Sequence, residues 1–411
     1  METLSITIQD VLANGWVHSV YQPIVRIDSG EVVAYEALAR GPEGSDLETP
    51  ARLFSEARRA GVLADLEYAC RTAALRGALE ADLPRGFALF VNIESEVTGE
   101  GGGDHHDVWE EARHRLRIVW EITERDMTRS PAHLLKRIER IRDGGRGVAL
   151  DDIGADPRSL AMLPFVNPDI LKLDMQLVQN RTSVEEARII HAVDAEVERS
   201  GAQVVSEGIE TEEQRMTAIA MGATLAQGWL FARPGPLVPC AEPTVELALG
   251  SRPPMAPEPS PFDIVATTRT VRRGPKRVLC EMSRYLEHQA MVLNESPVVL
   301  STFQDVRHFS RATERLYERL AGELPLVGAF GVDLPAEPGS GVRGTSLDSS
   351  DPLNGEWVVI VIGSHFAAGF AARDLGDAGP DMERRFDYAV TYDRNAAVRM
   401  ASSLLSRIKA A

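Results

Sequence analysis

Five short apolar runs in the first half of the chain each end in a residue able to bind a cation or oppose one: Asn92, Glu121, the pair Asp151-Asp152, Lys172 and Glu207. One such residue is ordinarily a solvated strand end. A series in consecutive runs resists that reading, because carboxylates gathered in one place are costly unless they bind cations or each other. The chemistry on offer is therefore cation binding by oxygen ligands, with one lysine among the acids.

That chemistry requires the run ends to converge. Strand-like segments at Val32–Tyr35, Phe87–Ile93, Arg117–Ile122, Gly147–Leu150, Ile170–Leu173, Ala202–Val205 and Thr224–Trp229 alternate with helical patterns such as Pro50–Ala60, Asp65–Glu80, Ala132–Asp143 and Ser183–Ser200. Such alternation predicts parallel strands with crossover helices. Some 250 residues carrying seven or eight units is the size of an α/β (β/α)8 barrel of the TIM type, whose strand ends meet at one face. An open doubly wound sheet is the alternative that periodicity leaves standing.

Bulk properties narrow the classes. A chain of 411 residues points to two domains. Formal net charge is -17, which argues against polymeric nucleic acid as a partner. No apolar run of about 18 residues exists, so no membrane insertion is expected. The start METLSITIQDVL lacks a basic segment followed by an apolar one, which points to a cytoplasmic protein. Cys70, Cys240 and Cys280 are too far apart for a local zinc or redox pair. The proline-rich stretch 250–263 reads as a linker between a domain at 1–249 and a smaller one at 264–411.

Around the strand ends lie YQPIV (Tyr21–Val25), YEALAR (Tyr35–Arg40), WEITE (Trp120–Glu124), ALDDIG (Ala149–Gly154), DILKLD (Asp169–Asp174), SEGIET (Ser206–Thr211) and QGWLFARP (Gln227–Pro234). In this order the motifs resemble those of EAL domains, which are cyclic-di-GMP phosphodiesterases, and they span nearly all of residues 1–240. The resemblance implies hydrolysis of cyclic-di-GMP to linear pGpG at two divalent cations, Mg²⁺ or Mn²⁺. Hard oxygen donors suit those ions, and no cluster of His or Cys argues for zinc. By resemblance, Glu36, Asn92, Glu121 and Asp151 would ligate one ion. Asp151 would bridge to a second, with Asp152 as a further ligand. Lys172 would hold the attacking water and favour its hydroxide form. Glu207 would act as base or as a water-mediated metal partner, with Gln227 supporting the metal-bound water. Gln22, Leu38 and Arg40 would contact substrate, Arg40 pairing with a phosphate. Glu124, Asp174 and Glu210 would orient loops around the ligands, and a homodimer is implied.

Three places depart from the family pattern. After Asp152 the chain runs Ile153-Gly154-Ala155-Asp156-Pro157-Arg158-Ser159, with Asp156 where family members have a second glycine and Pro157 at an aromatic position. Proline removes a backbone donor, and losing a glycine disfavours left-handed backbone, so a different loop geometry is expected there. Gly41-Pro42 replaces a tryptophan. Gly99–Arg115 is glycine-rich and reads as a mobile loop, with His105-His106 as a solvated pair.

From about residue 264 the pattern is a compact α/β unit: helix Lys276–Leu293, strand Val298–Phe303, helix Ser310–Leu320, strands Leu326–Val332, Trp357–Gly363, Phe366–Arg373 and Phe386–Asp393, and helix Arg394–Ile408. Ala336–Pro352 reads as a mobile loop. Order and texture resemble the DICT domain, a sensory module, whose signal or partner is unknown. No catalytic constellation stands out here. His308, Arg315, Tyr317 and Tyr392 are candidates for a pocket lining, with core packing or helix-surface roles as the alternative.

Overall fold

Strands of the first domain are buried on both faces, so their sequences run apolar rather than alternating. In the computed structural model they are His18–Arg26 (β1), Val32–Arg40 (β2), Ala88–Asn92 (β3), Arg117–Thr123 (β4), Gly147–Ile153 (β5), Ile170–Leu173 (β6), Gln203–Ser206 (β7) and Leu225–Ala226 (β8). They close into one barrel in sequence order. The structure describes residues 6–93, 105–123, 131–180, 183–238, 242–249 and 259–408.

The expected barrel forms, with one change of direction. β1 is antiparallel to both β2 and β8, while β2 through β8 run parallel. The sequence pattern does not single out β1, because Pro23 interrupts it and proline demotes a strand. Pro23 is tolerated because the β8 side of β1 pairs in the ladder only at Val25 and Arg26. A turn at Ile27–Gly30 reverses the chain into β2, with Gly30 at φ 73°.

An apolar plug fills the barrel. It includes Ile24, Ala34, Phe90, Val119, Ala149, Ile170, Val205 and Leu225, one from each strand, and Leu247 joins it from the chain beyond β8. Phe90 is fully buried and the largest member.

The second domain is a seven-stranded mixed sheet. Its strands are Arg272–Pro275 (β9), Val298–Asp305 (β10), Leu326–Val332 (β11), Arg343–Ser346 (β12), Glu356–Ile362 (β13), Ala367–Asp374 (β14) and Arg385–Thr391 (β15), ordered β12-β11-β10-β13-β14-β15-β9. Two expectations are corrected here. Ala336–Pro352 is not wholly loop, since β12 within it pairs in parallel with β11. Pro261–Asp263, read as linker, open a helix (Pro261–Thr268) capped by Ser260, with Phe262 buried. A third correction lies in the barrel: His106–Arg115 is helical and buries Trp109, while residues 94–104 lie outside the described ones.

Alternation along the sheet separates two faces. Val299, Val327, Val359 and Val361 pack with Leu279 and Leu286 of helix Lys276–Val292 and with Tyr317 and Leu320 of helix Arg311–Glu323. Val298, Leu300, Val358 and Ile360 face the other way, into a cluster with helices Pro261–Thr268 and Arg394–Leu405 that continues into the barrel. Helix Arg394–Leu405 packs against the barrel's Leu163–Val166. No helix among the described residues is long and apolar enough to cross a membrane.

The plug gives a direct test of barrel stability. Phe90→Ala is expected to destabilise the barrel by about 3–5 kcal/mol, read as a lower urea midpoint by intrinsic tryptophan fluorescence.

Candidate active site

Side chains two positions apart on a strand share a face. Two residues beyond each plug residue, toward one mouth of the barrel, stand Gln22, Glu36, Asn92, Glu121, Asp151, Lys172, Glu207 and Gln227. The polar layer thus sits directly on the apolar one, with one member for each of the eight strands.

Hydrogen bonds run around this layer. Gln227 Nε2 donates to Gln22 Oε1 at 3.1 Å and to Glu36 Oε2 at 2.6 Å. Asn92 Nδ2 donates to Glu36 Oε1 at 3.2 Å and to Glu121 Oε2 at 2.9 Å. The Lys172 ammonium is fully buried at the centre, 2.6 Å from Glu121 Oε1, 2.7 Å from Glu207 Oε1, 3.0 Å from Asp151 Oδ1 and 3.5 Å from Glu36 Oε2.

The electrostatics follow from that packing. Burial alone would depress the lysine, but Asp151, Glu121, Glu207 and Glu36 together hold its pKa well above the ordinary value. Burial and the neighbouring charge of Glu36 raise the Glu121 carboxyl, with Lys172 opposing them in part. Burial likewise pushes Glu207 up to about 8, against the pull of Lys172. Four carboxylates surround one ammonium, and Asp152 adds a fifth nearby. The layer carries more negative charge than its own lysine balances, a donor set of hard oxygens that fits divalent cations.

Asp151 and Asp152 pose a geometric problem, since adjacent strand residues point to opposite faces. The β5–β6 register slips between Leu150 and Ile153, a bulge that inserts one residue. Asp152 there adopts φ 59°, a left-handed conformation that costs a non-glycine residue about 1 kcal/mol and that aspartate tolerates better than most. Carboxylate oxygens of Asp151, Asp152 and Glu207 then lie within 4.8 Å of one another.

The atypical loop that follows has its own local logic. Gly154 takes φ 107°. Asp156 caps a short 3₁₀ helix, Pro157–Met162, by accepting from the Arg158 backbone N–H, and it also clasps the Arg158 guanidinium at 2.8 and 3.0 Å. Proline at the first turn of that helix sacrifices no needed donor. Asp156 and Pro157 therefore build a capped 3₁₀ turn, and the bulge before it sets both aspartates.

Leu38 lines a cavity of about 240 Å³ beside Asn92. Arg40 is partly buried and donates to Ala39 O at 2.8 Å, its pKa lowered by burial. Gln22 Nε2 donates to Ala232 O at 3.1 Å. Asp174 caps helix Met175–Gln179 through the Gln176 N–H; among the described contacts it makes no ion pair with Lys172. Glu210 is exposed, its N–H bonded to Gln214 Oε1. Glu124 lies outside the described residues. His105 is half-buried rather than solvated as expected, stacking on Tyr68 with ring centroids 6.4 Å apart and meeting Arg76 at 3.2 Å, and among the described residues it joins no acidic cluster.

Sequence reasoning missed Glu67 and Arg71, both buried in helix Leu63–Glu80 and lining the Leu38 cavity. Arg71 also lies 5.7 Å from the Trp109 ring centroid. Their signal was an i,i+4 charge pair on the helix face that carries Cys70 and Ala74.

Residues 6–234 match the EAL domain family, and the chain belongs to it. Residues 266–375 match the DICT family, described as a sensory domain in diguanylate cyclases and two-component systems. Over 232 residues the chain is 32% identical to the cyclic di-GMP phosphodiesterase RocR of Pseudomonas aeruginosa, covering 55% of this chain and 59% of that protein. It is 28% identical over 229 residues to the probable cyclic di-GMP phosphodiesterase PdeG of Escherichia coli, covering 54% and 45%. The chain thus spans about half the length of these curated relatives. A solved complex of Klebsiella pneumoniae BlrP1 with calcium and cyclic-di-GMP is 28% identical at a TM-score of 0.47, covering 54% of this chain and 56% of that one.

Lys172 makes the charge balance testable. Lys172→Met leaves the buried Glu36 and Glu121 and the half-buried Asp151 and Glu207 without their ammonium and is expected to lower stability by about 3–5 kcal/mol, measured by thermal unfolding in chelator. Adding Glu121→Gln should recover part of the loss; no recovery would mean that charge is not its cause.

Proposed function

We propose that the barrel hydrolyses cyclic-di-GMP to linear pGpG with Mg²⁺ or Mn²⁺, and that the second domain regulates it. The observation that carries this reading is the surplus of carboxylates over ammonium in a closed mouth, set on a plug too rigid to let them separate. Relatives named for cyclic-di-GMP phosphodiesterase activity supply the substrate.

Glu36, Asn92, Glu121, Asp151 and Asp152 would hold the cations, which would supply charge neutralisation at the phosphoryl oxygens and the leaving alkoxide. The chain's own groups do the rest. Lys172, fixed by its carboxylate neighbours, holds the attacking water and favours its hydroxide form. Glu207 accepts the proton. Gln227 positions Glu36 through their 2.6 Å bond. Gln22 and Leu38 present the substrate, and Arg40 pairs with a phosphate. Regulation has a physical route, since helix Arg394–Leu405 packs on Leu163–Val166, at the end of the segment that begins with the paired aspartates.

The purified 411-residue chain incubated with cyclic-di-GMP and Mg²⁺ or Mn²⁺ should release pGpG by chromatography, with Glu36→Ala abolishing turnover and Ca²⁺ inhibiting it through its looser coordination. Tight binding without product would make the barrel a receptor instead, and absence of both would make it an interaction module.

Asp152 separates charge from backbone. Asp152→Asn, which tolerates left-handed φ, should keep the melting temperature and lose turnover at least about a hundredfold, as when a directly acting group is removed. Asp152→Val should lose turnover and also destabilise the barrel by about 1–2 kcal/mol.

A further inference from the structure

The second domain carries a cavity unrelated to the barrel mouth. About 360 Å³ in volume, it lies between helix Lys276–Val292 and the sheet, next to the end of β10. That is at the small end of the range for small-molecule sites.

Its lining has an aromatic wall and four charged residues, the acid Glu287 and the bases Lys276, Arg284 and Arg307, with His308 beside them. Phe303, Trp357 and Phe386 supply aromatic surface, with Trp357 and Phe386 edge to face at 6.1 Å. Glu287 is only 8% exposed and also lines the cavity. The Tyr317 hydroxyl, itself buried, donates to Glu287 Oε1 at 2.8 Å and lies 2.6 Å from Ser301 Oγ. No donor among the described residues meets Glu287 Oε2. Burial raises the carboxyl's pKa, with Tyr317 and Arg284 opposing it, and with Tyr317 alone donating to it an ionised Glu287 has fewer donors than a buried charge requires.

The cations at the mouth are already committed. Lys276 is bound by both Asp381 oxygens at 2.8 Å, Arg284 by Glu281 at 2.6 Å and Arg307 by Asp305 at 2.9 Å. Each of these three pairs is neutral as a whole, so Glu287 is the charge of the lining that no ion pair among the described residues balances, which favours a cationic ligand. Aromatic faces favour a cation or a ring as well.

We propose that this cavity binds a small aromatic amine, with the ammonium on Glu287 Oε2 and the ring against Phe303, Trp357 and Phe386. Such a site gives a sensory domain its input. It is independent of the phosphodiesterase reading, because binding is measured without turnover.

The test is isothermal titration calorimetry on the full chain with tryptamine, indole-3-acetate and n-butylamine. Tryptamine should bind, and the acid with the same ring and the amine without one should bind at least tenfold more weakly. Glu287→Gln, which keeps an acceptor for Tyr317, should weaken tryptamine at least tenfold. Cys280 lines the same cavity as a free thiol, so tryptamine should also slow its alkylation by iodoacetamide, followed by peptide mass mapping. That second measurement uses the unmodified chain and decides the matter if Glu287→Gln does not fold. No heat and no protection of Cys280 at millimolar tryptamine, equal binding of indole-3-acetate, or unchanged affinity in Glu287→Gln would each overturn the proposal.

Discussion

The barrel depends on one constraint: a closed ring of eight strands in which every second side chain points inward. One inward position on each strand is given to the plug, and the next to a polar group. The plug has no alternative place to go, so the polar layer above it is fixed in height and spacing without any contact of its own needing to be strong. Gln22 and Gln227 close the ring at the antiparallel seam, where β1 meets β2 and β8.

A rigid support is what makes the charge distribution tolerable and also what makes it useful. Carboxylates on flexible loops would relax apart; on strands locked by Phe90, Val119, Ala149 and Ile170 they cannot. Lys172 and the amide groups of Asn92 and Gln227 absorb part of the repulsion. The remainder is an excess of negative charge in the layer, which is what the proposed cations would neutralise. The second domain repeats the principle with the opposite emphasis. One face of its sheet is committed to the apolar cluster shared with the barrel, and the other is left with a partly filled interior beneath helix Lys276–Val292.

Strand ends were legible in the sequence because two things coincide in this fold: an apolar run stops at the plug, and the next inward residue is polar. Asn92, Glu121, Asp151, Lys172 and Glu207 could be marked from that alone. Glu36 sits inside β2 rather than at its end, and Gln22 runs the other way along β1, so neither has that signature; family resemblance, not pattern, brought them in. Pro23 hid β1 itself. The bulge that reconciles Asp151 with Asp152 leaves no trace in composition, because it is a property of pairing between β5 and β6. In the second domain, Arg343–Ser346 is a strand only because β11 offers it an edge, and its glycine-rich neighbourhood reads as loop. Glu67 and Arg71 were passed over because a charge pair on a helix is usually solvated, and only the packing of Trp109 and the β1–β2 hairpin buries this one.

The seam between β1 and β8 has a consequence for how the chain reaches its native state. Val25 pairs with Ala226, and Gln227 bonds Gln22 and Glu36 across separations of 205 and 191 residues. Contacts of that span impose a large loop-closure entropy and form late. A ribosome-bound chain has already made β1 and β2 but must wait for nearly the whole first domain before their open edge is covered. Until then the hairpin exposes an unpaired edge, and the acids gathered on the intervening strands have no shared mouth. The geometry of the acidic layer is thus a product of the final closure, so that a nascent chain passes through synthesis before its carboxylates are gathered.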